Sequence, residues 1–403
     1  MLVDYVHFAR TNTRFLAFGF LMCFTSSAGQ TYFIGIFGPG IRADFGLSHT
    51  EWGSLYMIGT LISAILLPWS GQLLDRIDLR AFAVATLVGL AVACTAISQV
   101  NSVWFIVVAV FLLRQFGQGL TSLTGSTSMA RYFDSHRGKA IAVSSMGFSV
   151  GEAILPVSAV IGIAALGWRD AYLVTALGVL AIIPIALCLL RGQSDRDIAH
   201  SAKLQRQAID NPDSSGYTRR QVLAEKRFYL MTPALMLPSM IGTALFFHHL
   251  TLAEHKGWSA EWVTGNYGLY AFVTIATSLG SGPIIDRFSA TKVMPWFLMP
   301  MVAALIIVGP AQSHWLLIPY MICLGLNTGL YFTGSTAMWA ELYGAKYLGA
   351  IKSLMTALTV FASAIGPVTV GVMLDSGFSM RDVCFAFAAL CVLFTVPFVR
   401  ALR

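Results

Sequence analysis

Twelve apolar stretches dominate the chain, each close to the roughly 20 residues that a helix needs to cross a bilayer. They cover residues 15–39, 52–70, 81–98, 103–130, 140–166 and 171–190 in the first half, and 228–252, 263–280, 293–308, 315–340, 354–374 and 383–399 in the second. Only 11% of the 403 residues are charged, whereas soluble domains carry about 25%. Within lipid, only helices and closed barrels satisfy their own backbone hydrogen bonds. The pattern therefore predicts an all-α integral membrane protein with twelve transmembrane helices.

A polar, charge-mixed stretch over residues 191–227 separates the first six apolar stretches from the last six. Segments of this composition cannot bury enough apolar surface to fold alone, so we interpret it as a cytoplasmic linker. The predicted domains are a six-helix bundle over residues 1–190, the linker, and a second six-helix bundle over residues 228–403.

The basic residues predict the orientation in the membrane. With both termini inside, the loops outside hold only Arg42, Arg169, Lys256 and Arg381 among the 26 Lys and Arg residues, and Arg114 lies within a span. Basic residues are retained on the cytoplasmic side of a membrane. We therefore expect cytoplasmic termini in the inner (plasma) membrane. This bias also accounts for the net charge of +7 without nucleic acid as a partner.

The two halves repeat each other. "SGQLLDR" at residues 70–76 returns as "SGPIIDR" at 281–287, each following the second apolar stretch of its half. "GSTSMAR" at 125–131 returns as "GSTAMWAE" at 334–341, each at the inner end of the fourth stretch. Repeats with the same order and orientation predict two parallel six-helix bundles related by an axis along the membrane normal.

The repeated phrase resembles the loop signature of the major facilitator superfamily, which reads roughly G-x-L-x-D-R-x-G-R-[RK]. Gly71, Leu73, Asp75, Arg76 and Arg80 match it, and "GWRDAY" at residues 167–172 is also similar to the family. The resemblance covers the whole chain. It implies the fold of this family and a secondary transporter that works by alternating access.

The repeated phrase is also a candidate latch on the cytoplasmic side. Its glycines permit close helix approach, and its acids can bind helix starts. We predict ion pairs between Asp75 and Arg131 and between Arg287 and Glu341, which would break as the bundles rock. The alternative is a solvated loop that keeps helices in register. The candidate latch residues are Gly71, Asp75, Arg76, Arg131, Gly282, Asp286, Arg287 and Glu341.

Two ionisable residues lie near the predicted middle of the membrane, where they are costly and usually serve a purpose. Arg114 lies about eleven residues into the fourth stretch and Glu152 about twelve into the fifth, from opposite sides, so both reach a similar depth. Gln118 lies one helical turn after Arg114. We predict that Arg114 and Glu152 meet or share a water-filled cavity. They form either a structural ion pair or a site where Arg114 attracts an anion and Glu152 tunes it or carries a proton.

Other polar residues complete the set of binding candidates. The amide of Asn327 occupies the repeat position of Gln118, and either can line a site or bond between helices. A histidine near the outer end of the seventh stretch either senses protons or lies at the lipid–water boundary. The further candidates are Gln30, Tyr32, Tyr331, His248 and His249.

We conclude that the sequence predicts a monomeric secondary transporter of a small organic solute, coupled to protons. A carboxylate is one candidate solute, because the general pattern resembles the monocarboxylate and oxalate–formate carriers. The alternatives are efflux of amphipathic compounds, which predicts that Arg114 and Glu152 are fully paired, and a membrane sensor or scaffold that does not transport. Glu152 replaces the proline that drug–proton antiporters of the family tend to carry. We find no motif for an enzyme, a cofactor or a metal.

Overall fold

The computed structural model describes residues 11–133, 137–192, 217–344 and 348–402. Within these ranges the backbone forms helices and no β-strand, and twelve helices are long and apolar enough to cross a membrane. We number them spans 1 to 12: Thr13–Phe45, His49–Gly71, Leu79–Ser98, Val103–Met129, Ala140–Leu166, Trp168–Leu189, Lys226–Phe247, Ala260–Phe288, Ala290–Val308, His314–Tyr343, Leu354–Asp375 and Met380–Leu402. The twelve predicted helices are confirmed.

Several turns between spans are specified by single residues. Asp78 accepts hydrogen bonds from the Arg80 and Ala81 amides at 2.9 and 3.2 Å, which starts span 3. Gly167 adopts a positive φ of 84° between spans 5 and 6, a conformation that glycine reaches without strain. Short connections of this kind keep consecutive spans close to each other.

Span 1 is interrupted near its middle. Its two α-helical parts, Thr13–Thr25 and Thr31–Phe45, are joined by one turn of 3-10 helix at Ser26–Gly29. Gln30 follows in an extended conformation, with φ −82° and ψ 153°. Serine and glycine are weak helix formers, and Ser26 turns its hydroxyl to the Cys23 carbonyl at 2.7 Å. The local sequence therefore favours the break.

Span 4 also departs from α geometry. Its stretch Leu113–Thr121 is a π-helix, between the α-helical parts Val103–Leu112 and Ser122–Tyr132. Such stretches are rare and are found frequently at functional sites. This one carries Arg114 and Gln118.

The chain forms two compact units. The first comprises Met1–Phe37 and Ile58–Asp213, and the second comprises Gly38–Met57 and Ser214–Arg403. The predicted linker falls mostly outside the described residues. The division also passes through spans 1 and 2, so a short hairpin from the first half of the sequence belongs to the second unit.

Helix pairing within the units follows the sequence repeat. In the first unit, span 1 packs against span 5 and span 3 against span 6. In the second unit, span 7 packs against span 11 and span 9 against span 12. These pairs hold the same positions within each group of six. The fold thus carries the duplication that the sequence predicted.

Candidate functional site

Arg114 lies where the break in span 1 meets the π-helical stretch of span 4, inside the first unit. Its side chain is 2% exposed. The Nη1 atom donates to the Gly29 carbonyl at 3.3 Å and to the Thr31 hydroxyl at 3.2 Å. Both acceptors flank the point where span 1 stops being helical. The break therefore supplies oxygen atoms that hold the guanidinium in place.

Two glycines allow this close contact. A Cβ atom on Gly29 would lie 2.7 Å from the Gly117 Cα atom and closer still to the Leu113 carbonyl. A Cβ atom on Gly117 would lie 2.6 Å from the Gly29 Cα atom. Real Cβ contacts are never this short, so any side chain at either position would force the two backbones apart. The position of Arg114 depends on these glycines.

The neighbouring candidates in span 1 differ in their exposure. The Tyr32 hydroxyl donates to the Ser27 hydroxyl at 2.7 Å, and its ring is buried. Gln30 is only half-buried, as is Gln118 on span 4. Within the described residues, neither amide side chain makes a hydrogen bond. The two amides are thus better placed than Tyr32 to bind a solute.

Glu152 lies within span 5 and is partly exposed. Among the described residues, it makes no hydrogen bond or ion pair, and no other charge acts on it appreciably. Of the two predicted alternatives, direct contact with Arg114 is not seen among the described residues, where the guanidinium binds oxygen atoms of the span 1 break. A shared water-filled cavity stays a prediction. Glu152 is thus a membrane carboxylate without a partner among the described residues.

The second unit places Asn327 in a structural role. Asn327 is completely buried, and its Nδ2 atom donates to the Phe297 carbonyl at 2.7 Å, which ties span 10 to span 9. The ring of Tyr331 lies beside that of Phe297, with centroids 6.0 Å apart. Of the two alternatives for Asn327, the structure supports bonding between helices.

The two histidines at the end of span 7 are buried rather than placed at the lipid–water boundary. His248 is 2% exposed and contacts the Pro367 carbonyl through Nε2 at 3.1 Å. His249 is fully buried between two phenols, with Nδ1 2.8 Å from the Tyr267 hydroxyl and Nε2 2.6 Å from the Tyr320 hydroxyl. Burial lowers the pKa of His248 to about 4 and that of His249 to about 3. Both are neutral at pH 7.

The partners of His249 were missed by sequence reasoning. No sequence pattern indicates Tyr267 or Tyr320 as these partners. Tyr267 lies 18 residues from His249 along the chain and Tyr320 lies 71 residues away. No periodic pattern joins residues this far apart. Only the packing of spans 8 and 10 against this helix brings the three side chains together.

The predicted latch is only partly described. The side chains of Asp75 and Arg131 lie outside the described residues. Arg76, Asp286 and Arg287 are exposed. A Cβ atom on Gly71 would contact Leu123 at 3.0 Å, whereas one on Gly282 would meet open space. Packing against a neighbouring side chain thus favours glycine at position 71 and does not constrain position 282.

Glu341 makes contacts other than the predicted pair with Arg287. Its carboxylate accepts hydrogen bonds from the Ala290 amide at 2.7 Å, the Thr291 amide at 3.1 Å and the Ser289 hydroxyl at 2.8 Å. These groups start span 9, where a carboxylate is favoured by unpaired amides and the helix dipole. The described part of the chain shows no ion pair with Arg287. The predicted pairing is therefore wrong, and Glu341 caps a helix.

Within the described ranges, no group of three or more His, Cys, Asp or Glu side chains is arranged to hold a metal ion.

Comparisons with known proteins were made for sequence and for structure. A profile of the Major Facilitator Superfamily matches residues 19–308 and 249–403. A search of curated protein sequences gave no significant match.

Three solved structures show the likeness in fold. A point mutant of the nucleoside transporter NupG gives a TM-score of 0.74 at 12% identity, over 96% of this chain and 100% of that one. NupG without that mutation gives a TM-score of 0.70 at 11% identity, over 96% of this chain and 99% of that one. The third structure is a bacterial homolog of the human lysosomal transporter Spinster in an inward-facing, unoccupied conformation. It gives a TM-score of 0.62 at 15% identity, over 97% of this chain and 93% of that one. At these identities the likeness concerns the fold.

Proposed function

Because the chain belongs to the major facilitator superfamily and is a multi-pass membrane transporter, we propose that it carries a small organic carboxylate by alternating access, together with a proton. In this proposal the protein is a monomer in the inner membrane, with both termini in the cytoplasm. The expected orientation follows from the positions of the basic residues.

The observation that carries this proposal is the carboxylate of Glu152. An ionisable group within the membrane is costly and usually has a partner, yet this one is partly exposed and makes no ion pair among the described residues. A proton is the partner that neutralises such a group and can leave it again. Glu152 is therefore the proposed proton carrier.

Arg114 supplies the complementary charge. A guanidinium presents several N–H donors in a plane that suits a carboxylate. Hydrogen bonds from its Nη1 atom to the Gly29 carbonyl and the Thr31 hydroxyl hold the guanidinium beside the break in span 1. The half-buried amides of Gln30 and Gln118 add neutral donors and acceptors on the same two spans. The proposed cargo is accordingly an anion with further polar groups.

The competing functions receive less support. Efflux of amphipathic compounds predicted a complete ion pair between Arg114 and Glu152, and the two residues make no such pair. A sensor or scaffold without transport would give no reason for a membrane carboxylate without a partner. Transport of an anion accounts for both charged residues.

The decisive experiment is uptake into proteoliposomes. The panel contains small organic carboxylates, nucleosides as uncharged solutes and amphipathic cations, each with and without an inward proton gradient. We expect uptake of a carboxylate, stimulated by the gradient. Uptake of only nucleosides or cations would contradict the proposal.

Substitution of Arg114 tests the site itself. We expect Arg114→Gln to lower uptake of the active carboxylate at least about tenfold, since each tenfold loss corresponds to about 1.4 kcal/mol of lost interaction. Arg114→Lys retains the charge and should retain part of the activity. The control is Arg169→Gln, which removes a guanidinium that binds the Ser98 and Val100 carbonyls at the turn between spans 3 and 4. Unchanged uptake by well-folded Arg114→Gln would rule out this binding site.

A further inference from the structure

The hairpin Gly38–Met57, which joins spans 1 and 2, packs into the second unit together with spans 7 and 11. We call this contact region the clasp. It consists of the start of span 2, the end of span 11 and the residues around His248. In the expected orientation it faces the outside of the membrane.

Asp375 fastens the clasp by capping span 2. Its Oδ1 atom accepts from the His49 amide at 3.2 Å and its Oδ2 atom accepts from the Thr50 amide at 2.7 Å. A carboxylate at a helix N-terminus binds amides that have no partner within the helix and is favoured by the helix dipole. Residues more than 300 positions apart in sequence are joined by these two bonds.

The clasp is also tightly packed. A Cβ atom on Gly371 would lie 2.6 Å from the His49 carbonyl, and one on Gly53 would lie 3.0 Å from the Val368 Cα atom. Below these contacts, the rings of Trp52 and Phe247 stack with centroids 5.4 Å apart. The backbones of spans 2 and 11 therefore touch directly.

Two histidines lie at this contact, with His49 half-buried and His248 almost fully buried. The rings of His49 and His248 lie 5.8 Å apart. Among the described residues, the buried Nδ1 atom of His49 has no hydrogen-bond partner, and His248 makes one hydrogen bond, to the Pro367 carbonyl. The charged and titratable groups that act on this pair from the surrounding elements are Arg42, Glu254, His255 and Asp375.

We propose that His49 and His248 form a proton-binding site that unlocks the clasp when the outer side becomes acidic. A proton on either ring places a positive charge beside the other ring and near Arg42. On His49 that charge also lies at the N-terminus of span 2, where the helix dipole opposes a cation. Separation of the clasp admits water to the charged ring and relieves each of these costs.

The direction of the effect follows from linkage. Burial, with smaller contributions from His49 and Arg42, lowers the pKa of His248 to about 4, while Pro367 and Asp375 act in the opposite direction. A histidine in water has a pKa of about 6.5. The open clasp thus binds a proton more tightly than the closed clasp, and acidification through pH 6.5 towards 4 favours opening. For His248 alone, linkage gives about a twenty-fold shift towards the open clasp between pH 7 and pH 5.

The test is hydrogen–deuterium exchange of the full chain in lipid nanodiscs, followed by mass spectrometry of peptides that contain the His49 and Thr50 amides. After correction for the intrinsic exchange rate, we expect the protection of these amides to fall about twenty-fold from pH 7 to pH 5. The double variant His49→Gln/His248→Gln should lose most of this response. Asp375→Asn should lower the protection at pH 7 itself.

The matched control is His314→Gln, which removes an exposed histidine at the start of span 10 that is not among the groups acting on the pair, and it should leave the response unchanged. Protection that does not depend on pH in the unmodified chain overturns the proposal, as does a full response in the double variant. If the double variant shows no protection of the His49 and Thr50 amides at pH 7, His49→Gln and His248→Gln are measured separately instead. A full response in both of them also overturns the proposal. The measurement requires no cargo, so it is independent of the anion site.

Discussion

At the scale of single residues, Arg114 and Glu152 share the first unit but have different surroundings. Arg114 is enclosed by the polar atoms of the span 1 break. Glu152 retains exposure and makes no ion pair among the described residues. A fixed cation together with an unpartnered acid allows the two residues to take separate tasks. One can hold an anion while the other gains and loses a proton.

Substitution of Glu152 separates coupling from binding. We expect Glu152→Gln to abolish the stimulation of uptake by an inward proton gradient, because the amide cannot take up the proton that accompanies the cargo. Exchange of labelled for unlabelled cargo across the membrane should continue, since it requires no net proton movement. Both rates are measured in the same proteoliposomes.

Ser149→Ala, one turn before Glu152 on the same helix face, is the control and should keep the gradient effect. If Glu152→Gln still accumulates the carboxylate in response to the gradient, the proton is carried elsewhere.

At the scale of elements, the contact between spans 1 and 4 combines two departures from α-helical geometry. The 3-10 turn Ser26–Gly29 lies against the π-helical stretch Leu113–Thr121. Irregular backbone inside a membrane is tolerated where protein encloses it or a water-filled cavity meets it. The contact is thus a part of the first unit where packing strictly limits the choice of residue.

Gly29→Ala tests this limit. The added Cβ atom would overlap the Leu113 carbonyl and the Gly117 backbone. Overpacking of this kind typically costs about 1–3 kcal/mol, so we expect a lower midpoint of thermal unfolding in detergent and weaker carboxylate uptake. The midpoint is read from intrinsic fluorescence of the purified protein.

Gly178→Ala is the matched control, because a Cβ atom on Gly178 in span 6 meets nothing within 4 Å. There the substitution should be neutral, or stabilising by up to about 1 kcal/mol through helix propensity. Equal midpoints for the two variants would contradict the packing argument.

At the scale of the whole molecule, the duplicated phrases should lie on one side of the membrane. We expect Ile77→Cys and Phe288→Cys to react with a membrane-impermeant maleimide only in inside-out vesicles, because each follows the second span of its half. Phe378→Cys, between spans 11 and 12, should react only in right-side-out vesicles. All three side chains are well exposed, and a version without the six native cysteines provides the background. Labelling of Ile77→Cys and Phe288→Cys from opposite sides would contradict the parallel repeat.

Properties that depend on neighbours along the chain could be predicted from the sequence. The twelve spans follow from apolar length, and their parallel arrangement follows from the repeated phrases. The break at Ser26–Gly29 and the π-helical stretch around Arg114 could not be foreseen, because both depend on contact between spans 1 and 4. For the same reason, the acceptors of Arg114 and the helix cap made by Glu341 appeared only in the structure.

The candidate site was found in part. Rarity of charge within apolar stretches indicates Arg114 and Glu152 as candidate site residues, yet it could not give their partners. Charge pattern predicted pairs of Arg114 with Glu152 and of Arg287 with Glu341 that are not seen among the described residues, since hydrogen bonds to backbone groups leave no trace in the sequence. The burial of His248 and His249 depends on spans 8, 10 and 11, which no local pattern reports.

The hairpin Gly38–Met57 has a consequence for how the chain can be divided. Expression of residues 1–192 and 217–403 as separate polypeptides would not release two self-contained units, because the first fragment would retain a hairpin that belongs to the second. Trp52 and Tyr56, at 2% and 0% exposed in the intact chain, would lose their contact with Phe247. The first fragment alone would thus expose an aromatic surface that promotes aggregation. We expect the two fragments to be soluble in detergent only when they are synthesised together.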